Sequence, residues 1–195
     1  MFINRKLKEI QLKIVYYGPA LSGKTTNLEW IHSRTNPKLR GDLVSLKTRE
    51  DRTLYFDFLQ LELGKVQGLK PRFNLYTVPG QTYYAATRKL VLQGADGVVF
   101  VADSQSERLR DNLISFKDML NHLLELGYMP AQVPLVIQFN KRDLPGLTPV
   151  SEFKQRLKLN DTIPCFETVA IQGKGVFDTL KAIIGRVVSQ IQQGV

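Results

Sequence analysis

Apolar positions along the chain follow two alternating rhythms. "LKIVYY" (12–17) is a short apolar, β-branched run that stops at Gly18, and "TTNLEWIHSRT" (25–35) reads as a helix. "LYFDFLQLEL" (54–63) and "PRFNLYTV" (71–78) alternate apolar with polar, as half-exposed strands do, and "GKVQG" between them predicts a hairpin. "GVVFVAD" (97–103) and "PLVIQFN" (134–140) are unbroken apolar runs, the pattern of strands covered on both faces. Leu109, Leu113, Phe116, Leu120 and Leu123 recur at helical spacing, as do Phe177, Leu180, Ile184, Val187 and Ile191. Strands alternating with helices predict a three-layer α/β fold. The sheet should be mixed but mostly parallel, with helices on both faces and an antiparallel edge from the 54–78 hairpin. No repeat or linker interrupts residues 1–195, so a single domain is expected. Ligands of such sheets bind beyond the carboxyl ends of the strands.

Composition narrows the class. Hydrophobic residues make up 43% of the 195 and charged residues 23%, ordinary for a soluble domain with a sizeable core. No window of about 18 apolar residues predicts a transmembrane helix. "MFINRKLKEI" does not read as a signal peptide, Phe2 does not fit N-myristoylation, and "QIQQGV" offers no prenylation site. One cysteine, Cys165, fits a reducing cytoplasm. The net charge of +9 suits an anionic partner or serves solubility alone. It leaves room for a weak contact with anionic membrane. The basic stretches are not interleaved with stacking aromatics, so no specific nucleic acid is expected.

Four motifs carry chemistry. "GPALSGKTT", Gly18 to Thr26, fits G-x-x-x-x-G-K-[ST] between a predicted strand and a predicted helix, the phosphate-loop context. Backbone amides of Gly18, Ala20, Leu21, Ser22 and Gly23 can converge on phosphate at the positive end of a helix dipole. Lys24 reaches the β- and γ-phosphates, Thr25 can ligate Mg²⁺, and Thr26 completes the phosphate set. "NKRD", Asn140 to Asp143, follows a core strand. Asp143 can accept from the guanine N1–H and N2 amine, Lys141 can lay its stem on the base, and Asn140 can tie this loop to the phosphate loop. Together the two motifs point to GTP rather than ATP.

"TVPGQ" (77–81) ends a strand on the γ-phosphate side: the Gly80 amide can sense that phosphate and Gln81 can orient the attacking water. "REDRTLYFDF" (49–58) offers Thr53 to Mg²⁺ and Arg52 either as a charge-neutralising finger or as an ordinary solvated loop residue. His32, His122 and Trp30 fall on predicted helices and suit capping, solvation or packing. "TYYAATRKL" (82–90) reads as a mobile segment in which Tyr83 and Tyr84 can contact a partner.

The order of these motifs resembles the Ras-like small G domain, a P-loop NTPase fold. The strings "KIVYYGPALSGKTTNL", "DRTLYFDFL", "LYTVPGQ", "VIQFNKRDLP" and "AIQGKGVFDTLKAI" resemble the MglA family of bacterial small GTPases over nearly the whole chain. The resemblance implies a Mg²⁺-dependent GTP/GDP switch for cell polarity and for gliding or type IV pilus motility, cytoplasmic and recruited to cell poles. It is expected to be monomeric alone. The implied partners are polarity and motility effectors and a dimeric, MglB-like roadblock-fold activator. That activator inserts no arginine but realigns the GTPase's own Arg and Gln, here Arg52 and Gln81. The family shares Thr77 where other nucleotidases carry a magnesium-binding Asp. Asp57, on the adjacent strand, is the candidate replacement, acting through a water; the alternative is a structural Asp capping loop amides. Ala170, in "TVAIQGKG", is placed to offer its amide to guanine O6, with Ile171 covering the base. One departure is Ala20, where the family usually has Gly. It raises the alternative of a GTP-binding scaffold with very low hydrolysis. An RNA- or ribosome-associated G protein, motivated by the charge, lacks an appended RNA-binding domain.

Overall fold

The computed structural model describes residues 1–47, 53–66, 68–81 and 84–193. Among the described residues eight strands form one sheet: β1 (Phe2–Asn4), β2 (Glu9–Tyr17), β3 (Val44–Lys47), β4 (Thr53–Glu62), β5 (Lys70–Thr77), β6 (Gly97–Asp103), β7 (Leu135–Asn140) and β8 (Cys165–Glu167). The α-helices among the described residues cover it: α1 (Lys24–Arg34), α2 (Ala85–Leu92), α3 (Leu109–Glu125), α4 (Val150–Arg156) and α5 (Val176–Gln193). The strand order is β3-β4-β5-β2-β6-β7-β8. From β5 to β8 every pairing is parallel, whereas β4 pairs antiparallel with β5 and β3 with β4. The expected hairpin is present, with Phe58 opposite Tyr76. β1 adds a further antiparallel pairing along the first residues of β2.

The unbroken apolar runs follow from this placement. Ile14 and Tyr16 of β2 and Val99 and Val101 of β6 face α1 and α5. Their neighbours Val15, Tyr17, Val98 and Phe100 face α2, α3 and α4. Successive side chains of a strand point to opposite faces, so a central strand must be apolar at every position. Both helical stripes sit about one residue round from the expected phase. Asn112, Phe116, Met119 and Leu123 are the buried face of α3, and Val176, Leu180, Ile183 and Val187 that of α5. Leu109, Leu113 and Leu120, with Phe177, Ile184 and Ile191, flank those lines half-buried.

Of the segment 82–90, expected to be mobile, residues 85–90 lie instead in α2, whose buried residues are Arg88, Val91 and Leu92. Two apolar residues and one hidden cation are too little apolar signal to read as a helix. Among the described residues no helix is long and apolar enough to cross a membrane.

One polar joint crosses the core under the motif end of the sheet. Asn27 of α1 and Gln138 of β7 exchange hydrogen bonds of 2.8 and 2.9 Å, both fully buried, and Gln138 also donates to Thr179 of α5 at 3.3 Å. Asn27 further donates to the Gly23 carbonyl at 2.8 Å, so the joint reaches the phosphate loop. Replacing Gln138 by Leu keeps the bulk but strands the Asn27 amide. The expected loss is about 1–3 kcal/mol of unfolding free energy, read from a denaturant midpoint shift at unchanged slope; an unshifted midpoint would mean that the joint carries no net stability.

Candidate functional site

The motif residues converge at the carboxyl ends of β2, β5, β6, β7 and β8, where an open α/β sheet binds ligands. The phosphate loop leaves β2 at Gly18 and turns into α1 through Gly23, which takes φ 99°. A Cβ at Gly23 would overlap the Asn140 side-chain amide, so conformation and space both demand glycine. Leu21 (φ 62°) and Lys141 (φ 66°) also occupy the left-handed region, at a cost of about 1–2 kcal/mol each. Conformations of that cost are held where the surrounding structure fixes them, as it does at binding loops.

Lys24 is buried in the cradle. Its ammonium donates to the Gly18 and Pro19 carbonyls at 3.0 and 2.7 Å, across the mouth of the loop. Burial pushes it down to about 7; Asp57 pulls it back up and Arg88 pushes it further down. A cation desolvated in this way gains most from an anion beside it.

Asn140 is the hinge pin between the two nucleotide motifs. Its Nδ2 donates to the Ser22 carbonyl at 2.8 Å, and its Oδ1 accepts from the Thr168 hydroxyl at 3.1 Å and the Ala170 amide at 2.9 Å. The Ala170 amide, expected to serve guanine O6, is thus engaged by Asn140. Leu21, Thr26, Lys141, Asp143, Ala170 and Ile171 border a cleft of about 290 Å³. Leu21 and Ile171 are exposed apolar side chains on that cleft, the property needed to cover a flat base. The Lys141 ammonium is bound to Asp103 at 2.7 Å.

Asp103 ends β6 with its side chain 1% exposed, and Arg108 stands 3.9 Å away while donating to the Ala20 carbonyl at 2.9 Å. Lys141, Asp103 and Arg108 therefore form a charged brace from the guanine motif to the phosphate loop. Sequence reading missed Asp103 and Arg108; the one available signal was an Asp closing a strand otherwise wholly apolar.

The candidate carboxylate lies on β4. Asp57 is fully buried. Its Oδ2 accepts from the Thr25 hydroxyl at 2.6 Å and the Thr77 hydroxyl at 2.7 Å, and its Oδ1 accepts from Ser45. Thr77 also accepts the Asp57 amide at 2.8 Å. Thr77 thus holds an acid that stands on the neighbouring strand. Phe56 and Phe58 point away, against Tyr76, as the alternation requires. Among the described residues no three His, Cys, Asp or Glu side chains gather as a metal cluster. The Thr25–Asp57 pair offers only oxygen donors, the kind that magnesium takes alongside phosphate and water.

Gly80 lies against the phosphate loop: a Cβ there would overlap Ala20 N and Cα. Gln81 follows at once, its carbonyl held by Arg88. Gly80, Gln81, Ala20 and Arg88 share a second cleft of about 290 Å³ with Arg108 and Asp118. Arg52 and Tyr83 lie outside the described residues, as does the side chain of Thr53. Trp30 packs on the core beside Gly173, and His32 pairs with Arg40. His122 is less peripheral than expected: its Nδ1 is 3.1 Å from the Tyr17 hydroxyl, in the Arg88 network.

Comparison with known proteins agrees with this geometry. The sequence pattern of the ADP-ribosylation factor family matches residues 1–187. The mutual gliding-motility protein MglA of Myxococcus xanthus is 52% identical over 193 residues, 99% of this chain and 98% of that protein. ADP-ribosylation factor-like protein 6 of Caenorhabditis elegans is 30% identical over 62% of this chain and 64% of its own length. Human ADP-ribosylation factor-like protein 4C is 29% identical over 54% of this chain and 52% of its own. With a lysine-bearing phosphate loop, a joined N-K-x-D loop and these relatives, the chain belongs to the ADP-ribosylation factor family and is a Ras-like small GTPase of the MglA type.

Proposed function

We propose that this GTPase is a GTP/GDP switch controlling bacterial cell polarity and surface motility, working from the cytoplasm and recruited to cell poles. The observation that carries the nucleotide reading is the Asn140 joint, which fixes the phosphate loop and the guanine loop to each other. The motility assignment follows the name of the full-length Myxococcus xanthus relative.

In this reading the amides of Gly18 and of residues 20–26, with the Lys24 ammonium, hold the phosphates, and Asp143 selects guanine with Lys141 and Ile171 on the base. Ala170 keeps Asn140 in place. Thr25 binds magnesium directly, and Asp57 acts behind it by accepting the Thr25 proton, which leaves the hydroxyl lone pairs for the metal. Thr53 completes that shell with GTP bound. Magnesium, when bound, offsets the charge of the phosphates. Gly80 senses the γ-phosphate, Gln81 orients the water, and Arg52 neutralises developing charge once aligned by a roadblock-fold activator. GTP then holds the loops 36–53 and 80–88 in one arrangement, and hydrolysis releases them.

A second reading has a specific observation behind it. Ala20 carries a methyl group where its backbone is already in contact with Gly80. An ångström of displacement at Gln81 costs about 10²-fold in rate, so the chain can bind GTP as a scaffold while turning it over very slowly.

Two measurements separate these ideas. Asp57→Asn keeps the size but removes the charge. It is expected to weaken Mg²⁺-dependent nucleotide affinity by about tenfold or more, with a much smaller effect in EDTA. Equal Mg²⁺ dependence in both proteins would return Asp57 to a purely structural role. Single-turnover hydrolysis of GTP, with and without a roadblock-fold activator, should be faster in Ala20→Gly by up to about 10²-fold. Equal rates would remove Ala20 as a brake, and no acceleration by the activator in either protein would count against the polarity-switch assignment.

A further inference from the structure

We infer that Arg88 is a positioning residue for GTP hydrolysis, clamping the main chain of Gln81 to the body of the domain; this rests on the reading of Gln81 as the water-orienting group. Arg88 projects from α2 and is only 3% exposed. Its Nε donates to the Tyr17 hydroxyl at 3.0 Å, one terminal nitrogen donates to the Gln81 carbonyl, and the other lies 3.3 Å from the Asp118 carboxylate. These partners belong to three places. Tyr17 is the last residue of β2, directly before Gly18; Gln81 is in the catalytic loop; Asp118 is on α3. The Tyr17 hydroxyl, having accepted from Arg88, also hydrogen-bonds with His122 Nδ1 at 3.1 Å.

A surface arginine ordinarily keeps its head in water. Burying the guanidinium is costly unless its planar donors all find acceptors in a fixed geometry. Here the acceptors come from the strand that feeds the phosphate loop, from the loop that must be placed, and from the helix behind it. On the other side Gly80 is held against Ala20. The main chain at Gln81 is therefore gripped from both flanks, so its side chain searches for the water over its own torsions alone. Sub-ångström placement of such a group governs the rate of phosphoryl transfer, whereas the affinity of the phosphate cradle does not depend on it. The clamp also gives an activator touching α2 a direct mechanical route to Gln81.

The test is single-turnover GTP hydrolysis with parallel GTP and GDP dissociation constants for the parent, Arg88→Met, Tyr17→Phe, Gln81→Ala and the double variant Arg88→Met/Gln81→Ala. Arg88→Met is expected to hydrolyse about 10- to 100-fold more slowly, with both dissociation constants within about threefold of the parent. The double variant should be no slower than Gln81→Ala, because Arg88 acts through Gln81. Tyr17→Phe loses only the hydroxyl and should slow hydrolysis in the same direction, which keeps the inference testable if Arg88→Met does not fold. A parent-like rate in Arg88→Met, or in a folded Tyr17→Phe when Arg88→Met is lost, beside a slow Gln81→Ala overturns the clamp and leaves the Gln81 assignment standing. A parent-like rate in Gln81→Ala removes that assignment and the clamp with it. Additive slowing in the double variant overturns the inference, since Arg88 would then act elsewhere.

Discussion

The site depends on one amide. Asn140 gives both ends of its side chain to different loops, its nitrogen to Ser22 and its oxygen to Thr168 and Ala170. This placement of the loops gives both ends of a buried amide a partner, and a buried polar group left unpaired costs about 1–3 kcal/mol. The demand is mutual. Gly23 must lack a side chain so that Asn140 can reach across, and the left-handed turn it adopts there starts α1. The Gly18–Thr26 loop and the N-K-x-D loop are thus tied directly to each other, although 117 positions separate Gly23 from Asn140 in the chain.

A second polar joint lies at Thr25. Thr77 supports Asp57 of β4, accepting its amide and donating to its carboxylate, and Thr25 donates to the same carboxylate oxygen. This placement of the acid has a mechanical consequence. β4 is bounded by β3 on one side and β5 on the other, and its Ser45 neighbour on β3 also holds Asp57. A shift of β3 at Ser45 is therefore felt at the carboxylate. Lys141, Asp103 and Arg108 make the matching brace on the guanine side, ending on the Ala20 carbonyl.

What could be read from the chain was what local pattern determines. β6 and β7 stand out because both their faces are buried, and the hairpin because its alternation is clean. The phosphate loop and N-K-x-D loop carry their chemistry in contiguous residues. β1 and β3 were missed because strands of three and four residues hold too few positions to show a period. α2 was missed because one of its three buried residues is an arginine. Arg88 reads as solvated until Tyr17, 71 residues earlier, and Asp118, 30 residues later, are brought beside it. Asp103 and Lys141 are likewise 38 residues apart. Such pairs are products of topology. Asp57 was accessible as a candidate because an acid in an apolar strand needs a partner, but the three hydroxyls that hold it come from three separate elements.

The most direct test of the account is a calorimetric titration of GDP and of ADP into the chain with magnesium present. If Asn140 holds Asp143 opposite the base as one unit with the phosphate cradle, GDP binds tighter than ADP by about 10⁴-fold, the discrimination of a site built to hydrogen-bond its ligand. ADP taken up as tightly as GDP, or neither nucleotide taken up, would contradict it.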